Sequence, residues 1–328
     1  MILLVTGAAG FLGRALVRAV LAADPEARVV GLDPEPPAAP PPARLAWERG
    51  SAADAGRLEQ VLRAHRADCL AHLARGADTD ECGPLMQQHV TTTLAVLQAA
   101  ARHGGLRRVL VPGSAAEYGL VTEAELPISE GRPPRPASAY GYAKLAETSL
   151  ALMAPAKLGA PALVARVFNP VGPGQTPRFV CGSLVAQFAA MRAAGRAEPL
   201  RLGARTPIRD FVDVGDVAEA LRRLLLQGQP GECYNVGSGR GARVGEVVAL
   251  LEELTGIRTP PGPAAAPPAG RPGPGTRAAA EAPGAPAAEH SVAAVEKLRA
   301  ATGFECRVPL RQSLQAMLEA AYRFPMGT

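Results

Sequence analysis

Apolar and polar positions along the chain switch repeatedly between strand-like runs and helix-like spacing. Residues 2–6 form a short apolar run that stops at glycine, the pattern of a strand buried in a parallel sheet. Residues 11–22 then place Leu12, Ala15, Leu16, Val20 and Leu21 at helical spacing, and a second apolar run over 28–32 ends at Asp33. A proline-rich loop spans 34–42. The alternation continues with a helix over 57–64, a strand over 69–73, a helix over 84–103 and a strand over 108–112. A helix over 139–152 and a strand over 162–168 follow. Such alternation predicts a doubly wound parallel sheet with helices on both faces.

Beyond Gly172 the rhythm changes. Helical spacing returns over 180–194, 214–227 and 244–255, with short strands expected near 200–202 and over 232–236. Pro, Ala and Gly dominate 259–288, a composition suited to a linker or lid. Helical patterning resumes over 292–302 and 310–322, so the segment interrupts a domain and does not end one. The expected organisation is a first domain over 1–168 and a smaller C-terminal α/β domain over 169–328.

Gly7-Ala8-Ala9-Gly10-Phe11-Leu12-Gly13 stands where the first strand passes into the first helix. The first glycine permits a tight turn, the second lets backbone approach a pyrophosphate, and the third lets helix and strand pack closely. The helix N-terminus then offers its unsatisfied N–H groups, at Phe11 and Leu12 among others, to phosphates. A structural turn would account for the glycines alone. Asp33, twenty residues past Gly13, adds an acceptor for ribose hydroxyls and a charge that repels a 2′-phosphate. The pattern predicts a Rossmann-type domain with NAD as cofactor and NADP as the alternative.

Tyr140 and Lys144 lie four residues apart, on one helix face. The chain has three lysines and five tyrosines, so chance coincidence is low but not negligible. A phenol is a poor acid–base group at neutrality, and adjacent positive charge makes it a better one. Such a pair can exchange a proton with a carbinol oxygen. Ser114 follows the fourth predicted strand, at the edge where open parallel sheets meet ligands, and its hydroxyl could hold the same oxygen or cap a turn.

Composition narrows the partners. The net charge is +5, yet 32 of the 35 basic residues are arginines scattered among 30 acids, and aromatics are 4%. This does not make a base-stacking platform, and no nucleic-acid partner is expected. No apolar run approaches the ~18–20 residues of a membrane span, and the N-terminal run lacks a basic n-region. Cys69, Cys82, Cys181, Cys233 and Cys306 show no metal-ligand spacing. Five thiols cannot all pair within one chain, which points to buried thiols in a reducing cytoplasm. His72 reads as a packing residue, and no metal is expected. Tyr118 and Tyr142 read as walls of a cleft, Trp47 as packing under the second loop, and Arg107-Arg108 and Arg222-Arg223 as solvated faces.

Together the motifs resemble the nucleotide-sugar branch of the extended short-chain dehydrogenase/reductase superfamily. The resemblance rests on Thr6-Gly7-x-x-Gly10-Phe11-x-Gly13, His72-Leu73-Ala74, Gly113-Ser114, Pro127-x-x-Glu130-x-x-Pro133 and Ser138-Ala139-Tyr140-Gly141-x-x-Lys144. It extends through Arg166 to Gln175, Arg209-Asp210-Phe211 to Val217, and Tyr234-Asn235-Val236-Gly237-Ser238-Gly239. Glu117-Tyr118-Gly119, Gly172-Pro173-Gly174-Gln175, Phe179-Val180 and Gln187 are most similar to GDP-6-deoxy-mannose reductases. The resemblance implies Ser114, Tyr140 and Lys144 as catalytic. It implies Ser51, Leu73, Ala74, Arg75 and Val167 at the cofactor, and Ala115, Ala116, Asn169, Val180, Arg209 and Arg277 at a nucleotide-diphosphate sugar. A guanidinium such as Arg209 suits a diphosphate through two parallel hydrogen bonds, although an ion pair with Asp210 or Asp213 would also employ it.

Departures from the family pattern matter as much. Ala115 and Ala116 replace the Asp-Glu pair that dehydratases use, which removes their acid and base. Ser51 replaces an aspartate at the adenine, Arg75 an alanine, and His89 an asparagine that steadies the sheet. Pro170 stands where the reductases often carry histidine, and Arg271 and Arg277 are the candidates for a blurred C-terminal Arg-x-x-acid signature. Three activities stay open: a 4-ketoreductase, an NAD-dependent 4-epimerase using the same residues, and a non-catalytic NAD(H)-binding protein. A homodimer through helices 86–101 and 139–152 is a further expectation, with intrachain packing as its alternative.

Overall fold

The computed structural model describes residues 1–35, 37, 40–74, 81–261 and 290–323. Strands β1 (Ile2–Thr6), β2 (Arg28–Asp33), β3 (Leu45–Arg49), β4 (Cys69–His72), β5 (Arg108–Ser114), β6 (Ala162–Val167) and β9 (Cys233–Val236) form one parallel sheet, in the order β3-β2-β1-β4-β5-β6-β9. Their near-continuous apolar runs fit a sheet covered on both sides. Helices α1 (Phe11–Ala23), α6 (Val214–Gln227) and α8 (Glu296–Thr302) cover one face, where Leu3, Leu16, Leu110, Leu163 and Leu221 are fully buried. Helices α2 (Ala55–His65), α3 (Cys82–His103) and α4 (Ala139–Leu158) cover the other, over Leu4, Leu58, Leu70, Val96 and Val109. Each such side chain contributes roughly 1.5–3 kcal/mol by leaving water.

A second sheet of β7 (Asn169–Val171), β8 (Ile208–Asp213) and β10 (Gly241–Arg243), in the order β10-β8-β7, packs with α5 (Val180–Ala194), α7 (Val244–Thr255) and α9 (Leu310–Arg323) around Phe188, Val247 and Leu314. β9 lies late in the chain yet pairs with β6 in the large sheet, so the strands pass between the two sheets three times, from β6 to β7, from β8 to β9 and from β9 to β10. Among the described residues no helix is long and apolar enough to cross a membrane.

Several elements depart from the sequence expectation. No strand forms at 200–202; the Gln187 side chain accepts from Arg201 N–H at 2.7 Å and donates to its carbonyl at 3.2 Å, taking the groups a ladder would use. The helix expected from 292 begins at Glu296, because Ser291 to Ala294 bond in extended form to Asp210 and Ile128. α4 runs to Leu158 despite Pro155, held by burial of Ala151 and Ala154 and ended by Gly159 at φ 73°. β3, β7, β8 and β10 were not expected. Only residues 259–261 of the 259–288 segment are described.

Candidate active site

The strand order reverses between β1 and β4, and there the glycine turn lies. Gly7 has φ 69°, and a Cβ on it would come 2.5 Å from the Ala74 amide nitrogen at the end of β4. A Cβ on Gly13 would sit 2.1 Å from the Gly7 carbonyl oxygen. Both positions therefore exclude any side chain. α1 follows Gly10 as its N-cap residue, with no side-chain cap and no acid in its first turn, which leaves its amides to an anion. Asp33, buried at the end of β2, accepts from Ala9 N–H at 3.0 Å and Glu35 N–H at 3.1 Å. Each carboxylate oxygen keeps a further lone pair for a ribose hydroxyl. The turn, the uncapped helix and the acid fit a dinucleotide. Leu73 and Ala74 are half-buried beside Gly7, whereas Ser51 is exposed and accepts from Ala53 N–H. Arg75, Arg271 and Arg277 lie outside the described residues.

Ser114 ends β5 and caps the 3-10 turn Ala115–Tyr118, its hydroxyl accepting from Ala116 N–H at 3.2 Å. The capping role weighed for it from sequence is thus present. α4 is capped in turn by Ser138, which accepts from Gly141 N–H at 3.1 Å. Gly141 presses against the serine turn so closely that a Cβ would meet the Ala116 carbonyl oxygen at 2.6 Å. This contact brings Ser114 to the helix start that carries Tyr140, with Lys144 one turn further on.

Lys144 is almost fully buried and its ammonium bonds Glu147 Oε2. Glu147 Oε1 lies 2.7 Å from His89 Nδ1 on α3, and the His89 ring meets the Tyr140 ring edge-on at 6.1 Å between centroids. Burial works against the Lys144 charge, but Glu147 outweighs it and the ammonium is held above the ordinary lysine range. Burial would likewise push Glu147 up; Lys144 and the His89 hydrogen bond bring it down to about 2. His72, buried on β4 and bonded to the Thr6 hydroxyl at 2.9 Å, is pushed down by burial to about 4. His89 thus braces α3 against α4 at the site.

Beneath Ser114 lies a second buried cluster. Glu117 accepts from the Ser114 amide at 2.7 Å, the Thr148 hydroxyl at 3.0 Å and Arg166 Nε at 2.9 Å. Arg166 also donates to the Tyr118 hydroxyl at 2.8 Å, which donates to Asn235 Oδ1 at 2.8 Å. Tyr118 is fully enclosed, so it is core and not a cleft wall, while Tyr142 is 55% exposed. Sequence reasoning missed Glu117, Glu147 and Arg166 as site residues. The available signal was Arg166 itself, a guanidinium inside an apolar strand that burial permits only with a partner.

On the second sheet Asn169 Nδ2 donates to the Asp210 carbonyl at 3.0 Å and the Ser291 hydroxyl at 3.3 Å. Asp210 accepts from Ser238, Gly239 and Ala293, and Asp213 from Gly215 and Ser313. These carboxylates therefore tie loops together. Arg209 lies on β8, its charge felt by Cys181 at the start of α5 beside Val180. Arg108 donates to the Gly228 carbonyl and Arg223 to those of Thr302 and Gly303, so neither is simply a solvated face. Cys69 and Cys181 are buried, Cys233 and Cys306 half-buried, and Cys82 exposed; all five are free, which restricts the buried-thiol expectation to two.

Residues 3–237 match the model of the NAD dependent epimerase/dehydratase family. GDP-6-deoxy-D-mannose reductase of Pseudomonas aeruginosa is 38% identical over 194 residues, 58% of this chain and 64% of that protein. UDP-glucose 4-epimerase of Azospirillum brasilense is 31% identical over 275 residues, 78% of each chain. The solved structure of RMD from Pseudomonas aeruginosa complexed with NADPH superposes with a TM-score of 0.79 at 30% identity, over 98% of this chain and 99% of that one.

Proposed function

The chain belongs to the NAD dependent epimerase/dehydratase family, and from that premise we propose that it reduces the 4-keto group of a nucleoside-diphosphate 4-keto-6-deoxy sugar. The observation that carries the reading is the contact of Gly141 with Ala116, which sets Ser114 against the helix of Tyr140 and a charged, buried Lys144. Tyr140 delivers the proton to the carbonyl oxygen and Ser114 holds that oxygen by hydrogen bond. A bound nicotinamide cofactor would supply the hydride, and Gly7, Gly10, Gly13, Asp33 and Lys144 would hold it. Ala115 and Ala116 offer no acid or base for loss of water, which disfavours a dehydratase. Arg209 and Asn169 face the nucleotide-sugar from the second sheet. Similarity to the mannose reductase and the NADPH complex supports reduction.

Asp33 supports a second reading, a 4-epimerase with retained NAD, in which Tyr140 takes the proton of the C4 hydroxyl as that carbon is oxidised to a ketone and returns it to the ketone oxygen on re-reduction. Releasing small molecules by denaturing purified protein separates the two. An empty or NADP-bearing site, followed by NADPH or NADH oxidation with GDP-4-keto-6-deoxy-mannose, is the outcome expected of a reductase. Stoichiometric bound NAD with interconversion of UDP-glucose and UDP-galactose overturns it in favour of the epimerase. Absence of any dinucleotide binding sinks both.

A further inference from the structure

We infer that His89 is a positioning residue for Tyr140 and Lys144, acting on the lysine through Glu147 and on the tyrosine through its own ring. The inference rests on the proposed function only in taking Tyr140 and Lys144 as the reacting pair. His89 comes from α3 and everything it braces comes from α4. Its Nδ1 stands 2.7 Å from Glu147 Oε1, and because a carboxylate only accepts, Nδ1 carries the proton of that bond. The other oxygen, Oε2, receives the Lys144 ammonium. The imidazole ring meets Tyr140 at an interplanar angle of 79°.

The arrangement closes on itself. A buried ammonium keeps its proton only while an anion faces it, and a glutamate side chain has enough rotamers to turn away. The hydrogen bond from His89 ties one carboxylate oxygen down and thereby aims the other at Lys144. Lys144, Glu147 and Tyr140 face the imidazole cluster from α4, His72 from β4, and Glu117 from the serine turn. Of these, Glu147 is the one that bonds His89. With His89 removed, Glu147 loses its anchor and the Tyr140 ring loses a wall, so the two reacting groups drift together.

The chain has only three lysines, and Lys157 is exposed, so ε-carbon-labelled lysine gives a readable NMR titration without any cofactor bound. In the native protein Lys144 is expected to titrate above the ordinary lysine range. In His89→Phe, which keeps a ring against Tyr140 but removes the hydrogen bond, Lys144 should move down by about one pH unit or more. In His89→Asn, whose amide can still donate to Glu147, it should stay near the native position. NADH-dependent turnover of GDP-4-keto-6-deoxy-mannose should fall about tenfold to a hundredfold in His89→Ala and recover most of the loss in His89→Asn. A Lys144 titration identical in the native protein and His89→Phe overturns the inference. So does an asparagine variant no better than alanine. Tyr140→Phe keeps the two failures apart: if it leaves turnover intact the reading of the reacting pair is wrong, whereas the lysine titration still reports on His89.

Discussion

Two buried glutamates flank the proposed reacting residues, and their surroundings move their protons in opposite directions. Glu117 lies under Ser114 beside Arg166, with hydroxyl and amide donors around it and the Lys144 charge also felt; burial prevails and its carboxyl is pushed up. Glu147 lies under Lys144 and meets Lys144, His89 and His72; these outweigh burial and bring it to about 2. Depth is the same, so depth does not set the sign. How strongly the charges and hydrogen-bond donors facing each carboxylate favour its anion does. The first cluster joins β5, β6 and β9 and carries the serine turn as a fixed platform. The second joins two helices and holds the charge of Lys144.

The largest expected effect breaks the first cluster. Arg166→Met leaves Glu117 buried beside no cation and should cost about 3–5 kcal/mol in urea unfolding. Replacing both, Arg166→Met with Glu117→Leu, should recover much of that loss, because an apolar pair needs no desolvation to be compensated. Lys144→Met should cost less, since Glu147 keeps its bond to His89.

The pH dependence of stability sharpens the contrast. His72 is held neutral by the fold at about 4 against 6.5, so the unfolded chain binds more protons between those values. Stability should therefore fall as pH drops from about 6.5 to about 4, by on the order of 3 kcal/mol, and His72→Asn should flatten that stretch. Glu147 adds a further loss between about 4.5 and about 2, because its folded form stays ionised longer. Glu117 acts in the opposite sense: its folded carboxyl binds a proton more readily, so its contribution declines as pH rises above 4.5. Unfolding free energies of Glu117→Gln and Glu147→Gln across pH should bend in opposite directions.

A smaller effect is expected where the clusters touch. Gly141→Ala lies inside a helix, where alanine alone gains about 1 kcal/mol. Its Cβ would stand 2.6 Å from the Ala116 carbonyl oxygen, and backbone must shift, at about 1–3 kcal/mol. The clash wins, and thermal melting should show net destabilisation with loss of turnover.

The same contrast explains what the sequence could reveal. Strands of the large sheet other than the half-buried edge strand β3 were legible because apolar runs bury on both faces, and the glycine turn and Tyr140-Lys144 were legible because their chemistry depends on local spacing. β8 was not, since Ile208-Arg209-Asp210-Phe211-Val212-Asp213 breaks the apolar pattern with charges. Asp210 is nonetheless fully buried, because Ser238, Gly239 and Ala293 satisfy it from 28, 29 and 83 residues away. Glu147 and Arg166 were hidden for the same reason: a buried charge looks like a surface charge until its distant partner is placed. His89 read as a departure from a family pattern, and its bond to Glu147 needed α3 and α4 brought together.

Ser114→Ala is expected to have the smallest effect on stability and a large one on turnover. The hydroxyl accepts from Ala116 N–H, and losing such a cap costs about 1 kcal/mol. The turn should survive that loss, because Glu117 still accepts from the Ser114 amide and remains bonded to Arg166 and Thr148. In the proposed reaction the same hydroxyl donates to the substrate oxygen, and removing one such donor costs about a hundredfold. Ser114→Thr restores the hydroxyl and should recover most of the rate with little change in melting. A Ser114→Ala variant that melts several degrees lower yet turns over normally would make the serine a cap alone and move the substrate oxygen away from β5. The opposite pattern, intact melting with lost turnover, divides the labour as the two clusters suggest: Glu117 and Arg166 hold the platform, and the serine on it does the chemistry.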